Sequence, residues 1–266
     1  PISWEVCTMS KAFENSLDTQ NFTIVDGYAK AVSVLSRSYT PLCSISGGSD
    51  SDIVLDIIHN VDEKKKVRYF WIDTGLEYQA TKEHLDYLEN KYGIEIERVK
   101  ACKPIPTCCK EYGQPFLSKY VSEQIMRLQL HGFQWEDKPL PELLEKYPNC
   151  KIALQWWCNA YYSPESGVVQ MSQFSIGRNS WLKEFMMANP PSFRISNKCC
   201  EYAKKKPAKL LIKQLDADLE IIGVRKAEGG IRSASYKTCF SESKTKGCNS
   251  YRPVFWYTDS DKKSYE

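Results

Sequence analysis

The stretch Leu42-Cys43-Ser44-Ile45-Ser46-Gly47-Gly48-Ser49-Asp50-Ser51-Asp52, running on into Ile53-Val54-Leu55-Asp56-Ile57-Ile58, restricts the fold more than any other part of the chain. It reads as a short buried strand, a turn of small residues and then a helix. Two adjacent glycines let the main chain approach a ligand with no Cβ in the way and take positive φ where the turn needs it. Successive N–H groups in such a turn point the same way, and the helix adds the positive end of its dipole. The turn is therefore suited to an anion such as phosphate or sulfate. Ser46, Ser49 and Ser51 bring hydroxyl donors to the same place. Ser49 and Asp52 have the spacing of a helix-capping box. The turn carries no lysine of its own, because neither Gly-x-x-x-x-Gly-Lys-Ser/Thr nor Gly-x-Gly-x-x-Gly is present.

The elements on either side predict how this turn is mounted. Phe22, Val25, Ala29, Val32, Val34 and Leu35 form the expected apolar face of a helix that packs on the first strand. Residues 67–73 read as a second buried strand ending at Asp73-Thr74-Gly75. A helix follows from Glu77 to Tyr92, with Leu85, Leu88 and Tyr92 on one face and Gly93 as its terminator. Residues 94–99 alternate as a third strand, and residues 219–225 read as a fourth. Strand–helix–strand alternation with short turns predicts right-handed parallel crossovers and an α/β, doubly wound, mostly parallel sheet. Ligands of such sheets lie at the carboxyl ends of the strands, which puts Ser46-Gly47-Gly48 beside Asp73-Thr74-Gly75. A carboxylate at a strand end suits Mg²⁺ or a ribose hydroxyl, so Asp73 joins the candidate site.

The whole chain, residues 1–266, is read as one α/β domain with a helical, aromatic-rich insertion at about residues 102–195. Within it, Cys102, Cys108 and Cys109 are expected in a proline-punctuated loop. Helices are expected over residues 116–130 and 139–147. Trp135, Trp156, Trp157, Tyr161 and Tyr162 read as an aromatic core rather than a base-stacking surface, since few basic residues are interleaved. Cys199-Cys200 opens a further helix, which Pro207 must break or restart. A helix start lowers thiol pKa, which suits a tandem cysteine to metal or redox work.

Composition narrows the partners. A net charge of +3 is too small to argue for a nucleic acid or a membrane surface, and no apolar run approaches a membrane span. Eleven cysteines scattered along an α/β pattern fit a reducing, cytoplasmic setting better than a disulfide framework.

Ser46-Gly47-Gly48-Ser49-Asp50-Ser51 resembles the SGGxDS signature of the PP-loop adenine-nucleotide superfamily. The Asp73-Thr74-Gly75 turn followed by Glu77 resembles that of the phosphoadenosine phosphosulfate (PAPS) reductase family, with Leu76 where its members usually carry proline. Three later segments keep the family's order. Cys199-Cys200-Glu201-Tyr202-Ala203-Lys204-Lys205-Lys206-Pro207 is similar to the tandem-cysteine segment of the iron–sulfur members. Gly223-Val224-Arg225-Lys226 with Arg232 resembles the strand that carries their basic residues, and residues 252–259 resemble the family's closing landmark.

The resemblance implies an enzyme that binds an adenine nucleotide, either ATP or an adenylyl sulfate (PAPS or APS). Its nucleotide-binding residues would be Ser46, Gly47, Gly48, Ser49, Asp50, Ser51, Asp73, Thr74, Gly75, Glu77, Gly223, Arg225, Lys226 and Arg232. Arg225 and Arg232 would clamp the anionic end. It also implies a [4Fe–4S] cluster, for which Cys199, Cys200, Cys239 and Cys248 are the candidate ligands, although the last two are spaced more widely than Cys-x-x-C. The chemistry implied is reductive cleavage of a sulfonucleotide. The alternatives are an ATP pyrophosphatase that transfers sulfur to nucleic acid, and a nucleotide-binding module without catalysis. The partners this admits are the nucleotide, a thiol reductant or sulfur donor, nucleic acid, and a second copy of the chain in a homodimer. A membrane is not among them.

Overall fold

The computed structural model describes residues 21–160, 175–229, 233–243 and 247–266. The chain divides into two compact units, one drawn from residues 1–101 and 206–266 and the other from residues 102–205.

The first unit is a six-stranded sheet. Its strands are β1 (Pro41–Ser44), β2 (Arg68–Asp73), β3 (Ile96–Lys100), β4 (Leu219–Ile222), β5 (Phe240–Ser241) and β6 (Asn249–Tyr251). They lie in the order β3-β2-β1-β4-β6-β5, all parallel except β5, which pairs antiparallel with β6 at the edge. This is the mostly parallel, Rossmann-like α/β architecture that the strand–helix alternation predicts. Ser44 at the end of β1 is in register with Phe70 of β2 on one side and Ile222 of β4 on the other. The chain builds outward to β3 from β1, then returns to β4 on the other flank. The end of β1 is therefore the point where strand order reverses, the place where open α/β sheets form their crevice.

Alternation along the strands fills both faces. Cys43, Ile45, Tyr69, Trp71, Ile96 and Ile221 point into one apolar layer with helices α1 (Phe22–Ser36), α2 (Ser49–Val61) and α3 (Gln79–Tyr92). Leu42 and Phe70, one residue out of phase, meet Leu211 of α4 (Lys206–Gln214) on the other face. Each fully buried leucine or isoleucine there contributes about 1.5–3 kcal/mol. Pro207 follows closely on a π-helical stretch, Glu201–Lys205, where the regular i→i−4 ladder that a proline would break is already interrupted.

The buried face of α1 differs from the expected one. Ile24, Gly27, Tyr28, Ala31 and Leu35 face the sheet, whereas Phe22 is 88% exposed and Val32 45% exposed. At 100° per residue positions 24, 28, 31 and 35 make one stripe, and Phe22 falls outside it.

A last helix, α5 (Asp259–Tyr265), is fastened at both ends within this unit. Thr258 caps it, with Asp261 completing the capping box, and Asn21 Nδ2 donates to Asp261 Oδ1 at 2.8 Å. At its other end Tyr265 Oη donates to Asp56 Oδ2 at 2.6 Å and lies 2.6 Å from Tyr28 Oη.

The second unit is helical, with α-helices at Ile105–Tyr112, Lys119–Leu130, Leu140–Lys146, Lys151–Trp157 and Ser180–Ala188. Its core is aromatic: Phe133 lies edge-on to Trp135, Tyr147 and Trp157 at 5.7, 5.3 and 5.5 Å. Tyr161 and Tyr162 lie outside the described residues. Cys108 and Cys109 are not in a loop as expected. Pro104 precedes and Pro106 enters the first turn of the helix Ile105–Tyr112, positions where proline starts a helix instead of breaking one.

Candidate active site

The turn after β1 is held by its own residues. Ile45 N donates to Phe70 O at 2.8 Å, which keeps the chain in the sheet up to the bend. Gly47 then takes φ +74°, and a Cβ there would come within 2.9 Å of Thr81 Cγ2 on α3. Both the dihedral and the space require glycine.

Gly48, with φ −108° and ψ 156°, is the N-cap of α2. The expected capping box of Ser49 and Asp52 is not formed, because Ser49 is already inside the helix. Ser51 ties the turn instead: its Oγ donates to Gly48 O at 2.7 Å and accepts from Ser46 N at 3.2 Å. Ser46 Oγ lies 3.1 Å from the same hydroxyl. The N–H groups of Gly47, Gly48, Ser49 and Asp50 take part in no hydrogen bond among the described residues. These four donors, at the start of a thirteen-residue helix, are what an anion meets here.

Asp73-Thr74-Gly75 lies at the end of the neighbouring strand. Asp73 Oδ1 accepts from Gly75 N at 2.9 Å, closing an Asx turn, and Gly75 has φ +84°. Thr74 is buried and its hydroxyl donates to Glu77 Oε1 at 2.6 Å. Glu77 thus braces the turn through Thr74.

β4 stops at Ile222, which releases Gly223, Val224 and Arg225 at its carboxyl end. A Cβ on Gly223 would stand 3.2 Å from Ser51 Cα and N, so glycine lets this segment lie against the first turn of α2. Arg225 reaches the turn as expected, but its guanidinium is committed to carboxylates. Nε donates to Asp50 Oδ1 at 2.9 Å, and Nη1 donates to Asp259 Oδ1 at 2.8 Å and Tyr257 O at 3.5 Å. Burial works against its charge, yet the two carboxylates outweigh burial and raise its pKa. Arg225 therefore braces the turn through Asp50 and is taken up by carboxylates instead of standing open to an anion. Lys226 lies over the Trp256 ring, 5.1 Å from its centroid. Arg232 lies outside the described residues.

Two further residues meet the turn that the sequence did not single out. Lys262 Nζ of α5 is 3.0 Å from Asp50 Oδ1, the same oxygen that accepts from Arg225. Burial tends to raise the Asp50 pKa, but contacts with Glu228, Lys262 and Arg225 bring it below the usual aspartate range. His84 Nε2 of α3 is 2.7 Å from Asp52 Oδ2, one turn along from the Thr81 that packs on Gly47. Both contacts join segments far apart in sequence, and neither belongs to a local motif. The one available signal for His84 is its spacing of three from Thr81 on a helix.

Cys199 and Cys200 belong to the second unit, Cys239 and Cys248 to the first. Among the described residues, no three His, Cys, Asp or Glu side chains are grouped where they could hold a metal ion. Nor is the Cys199 thiol lowered by its helix start. Burial, reinforced by the neighbouring Cys200, pushes it up to about 11. A cavity of about 260 Å³ beside both cysteines is lined also by Pro115, Lys119 and Asn197. A second cavity, of about 580 Å³, opens at the amino ends of β2 and β3 between His59, Lys65, Arg68 and Glu95, on the opposite rim from the glycine turn. Among the described residues no helix is long and apolar enough to cross a membrane.

Residues 40–129 match the model of the phosphoadenosine phosphosulfate reductase domain. No curated protein matches the chain. Similar solved structures include a PAPS reductase from Candida auris in a phosphate complex, 14% identical with a TM-score of 0.40, over 87% of this chain and 73% of that one. An NH3-dependent NAD synthetase from Campylobacter jejuni, in complex with nitrate, is 12% identical with a TM-score of 0.37, over 91% of this chain and 70% of that one. A tRNA thiolase from Methanococcus maripaludis with its [4Fe–4S] cluster is 12% identical with a TM-score of 0.41, over 91% of this chain and 63% of that one. The matched residues 40–129 hold the glycine turn, the Asx turn at Asp73 and the helices that follow them, so it is over these residues that the chain is similar to the phosphoadenosine phosphosulfate reductase domain.

Proposed function

We propose that the first unit binds an adenylyl sulfate and presents its sulfur to a thiol. The observation that carries this reading is the family match over residues 40–129, which includes the four donor N–H groups of Gly47 to Asp50. On this reading the phosphate and sulfate oxygens lie on those N–H groups at the end of β1. The adenosine extends along the rim toward Asp73-Thr74-Gly75.

A thiolate attacks the sulfur, and the S–O bond to the nucleotide phosphate breaks. The phosphate oxygens take the released electron pair. A second thiol then displaces sulfite, leaving the two thiols oxidised as a disulfide. The charge that grows on the leaving phosphate is met by fixed main-chain dipoles that need no reorganisation. Arg225 and Asp50 act as positioning residues that hold those dipoles in place.

Anaerobic calorimetric titration of the intact chain with PAPS, APS and ATP tests the assignment. We expect both sulfated nucleotides to bind at least tenfold more tightly than ATP, and sulfite to appear when a dithiol is added. Tighter binding of ATP, with pyrophosphate released in the presence of an acceptor, would contradict it.

A further inference from the structure

We propose that Lys262 is the cation of the anion site. The ammonium group that the glycine turn's own sequence lacks is carried to it by α5, and it hydrogen-bonds the outermost phosphate or sulfate oxygens of the bound nucleotide. This rests on the nucleotide reading above and adds to it an anion-binding residue.

The first support is position. Lys262 Nζ is 3.0 Å from Asp50 Oδ1, and Asp50 is one of the four residues whose N–H groups take part in no hydrogen bond among the described residues. The second is redundancy. Asp50 Oδ1 already accepts from Arg225 Nε at 2.9 Å, and that guanidinium is only 8% exposed and fixed by Asp259 as well. Of the two cations on this oxygen, Lys262 is the more exposed, at 22%. An ammonium carries three donors. One is directed at Asp50, and Glu266 Oε1, at 4.0 Å, is beyond hydrogen-bond reach.

The third support is leverage. α5 is pinned by Asn21 at Asp261 and by Asp56 and Tyr28 at Tyr265, so the Lys262 backbone is fixed while its four-carbon stem turns. Rotation about that stem is enough to redirect the ammonium from a carboxylate that keeps another partner to an oxyanion on the turn.

The test is calorimetric titration of the intact wild type, Lys262→Met and Lys262→Arg with APS, ATP, inorganic pyrophosphate and uncharged adenosine. We expect Lys262→Met to weaken the three anions roughly 10- to 100-fold, the loss of one hydrogen bond to a charged group. Adenosine should change less than twofold, and Lys262→Arg should restore most of the anion affinity. The melting temperature of each variant reports that it is folded. Unchanged anion binding by Lys262→Met would overturn the role of Lys262 and leave the nucleotide reading standing. So would an equal loss for adenosine, which would mark Lys262 as structural only. Failure of the wild type to bind any of the three anions would overturn both.

Discussion

Arg225 Nε donates to Asp50 Oδ1 at 2.9 Å, fastening the first turn of α2 to the segment after β4 across 175 positions of sequence. The pair is nearly enclosed, with side-chain exposures of 8% and 18%. Removing one member of such a pair leaves a desolvated charge behind.

Arg225→Met should therefore cost about 3 kcal/mol of stability in urea denaturation. Arg225→Lys should recover little of it, because one ammonium cannot reproduce the guanidinium's separate contacts to Asp50 and Asp259. A loss below about 1 kcal/mol for Arg225→Met would place this contact among ordinary surface ion pairs.

Gly47→Ala should destabilise the chain by about 1–2 kcal/mol through its positive φ. It should abolish nucleotide binding, because the new Cβ pushes on Thr81 and moves the turn. Combining it with Thr81→Ser removes the clash but not the dihedral strain, so binding should return only in part. Full recovery in the double variant, read by titration, would show that space alone dictates glycine here.

Much of this arrangement is local and so was legible in the chain. The strand–turn–helix at residues 42–58, the Asp73-Thr74-Gly75 turn after the second strand and the parallel sheet follow from alternation, glycines and short connections. Contacts between distant segments were not legible. Nothing near Asp50 in sequence indicates that Arg225 and Lys262 share its Oδ1. The carboxylate partners of the Arg225 guanidinium, Asp50 and Asp259, are likewise not revealed by spacing. Local misreadings also have physical causes. Gly48 took the cap that Ser49 was expected to hold, and two prolines marked the start of a helix where a loop was expected.

Acid should weaken the first unit through Asp50 and Asp218. Both carboxyls lie below the usual range despite burial: Asp50 through Glu228, Lys262 and Arg225, and Asp218 through Ser38, Tyr39 N and Thr40 N. A lowered folded-state pKa means their contribution is fully present above the ordinary aspartate range. It is lost as pH falls through the lowered values. Stability measured from pH 6 down to about 2.5 should therefore fall most steeply below about 4. Asp50→Asn should be less stable at neutral pH and show a shallower decline. An unchanged slope would contradict the role given to Asp50.

Thiol labelling should follow burial. At pH 8, Cys102, which is exposed, should react with iodoacetamide well before the buried Cys43, Cys108 and Cys199. Burial raises the pKa of all three of these. Peptide mapping of a time course reads the order, and Cys199 labelling as fast as Cys102 would mean that its site is open in solution.

The most direct measurement is the amide spectrum of the isotopically labelled protein during titration with APS. The N–H signals of Gly47, Gly48, Ser49 and Asp50 should shift together and their hydrogen exchange should slow, with much smaller changes at Gly93 on the far rim. If APS binds while those four amides neither shift nor gain protection, the turn does not hold the nucleotide's charged end.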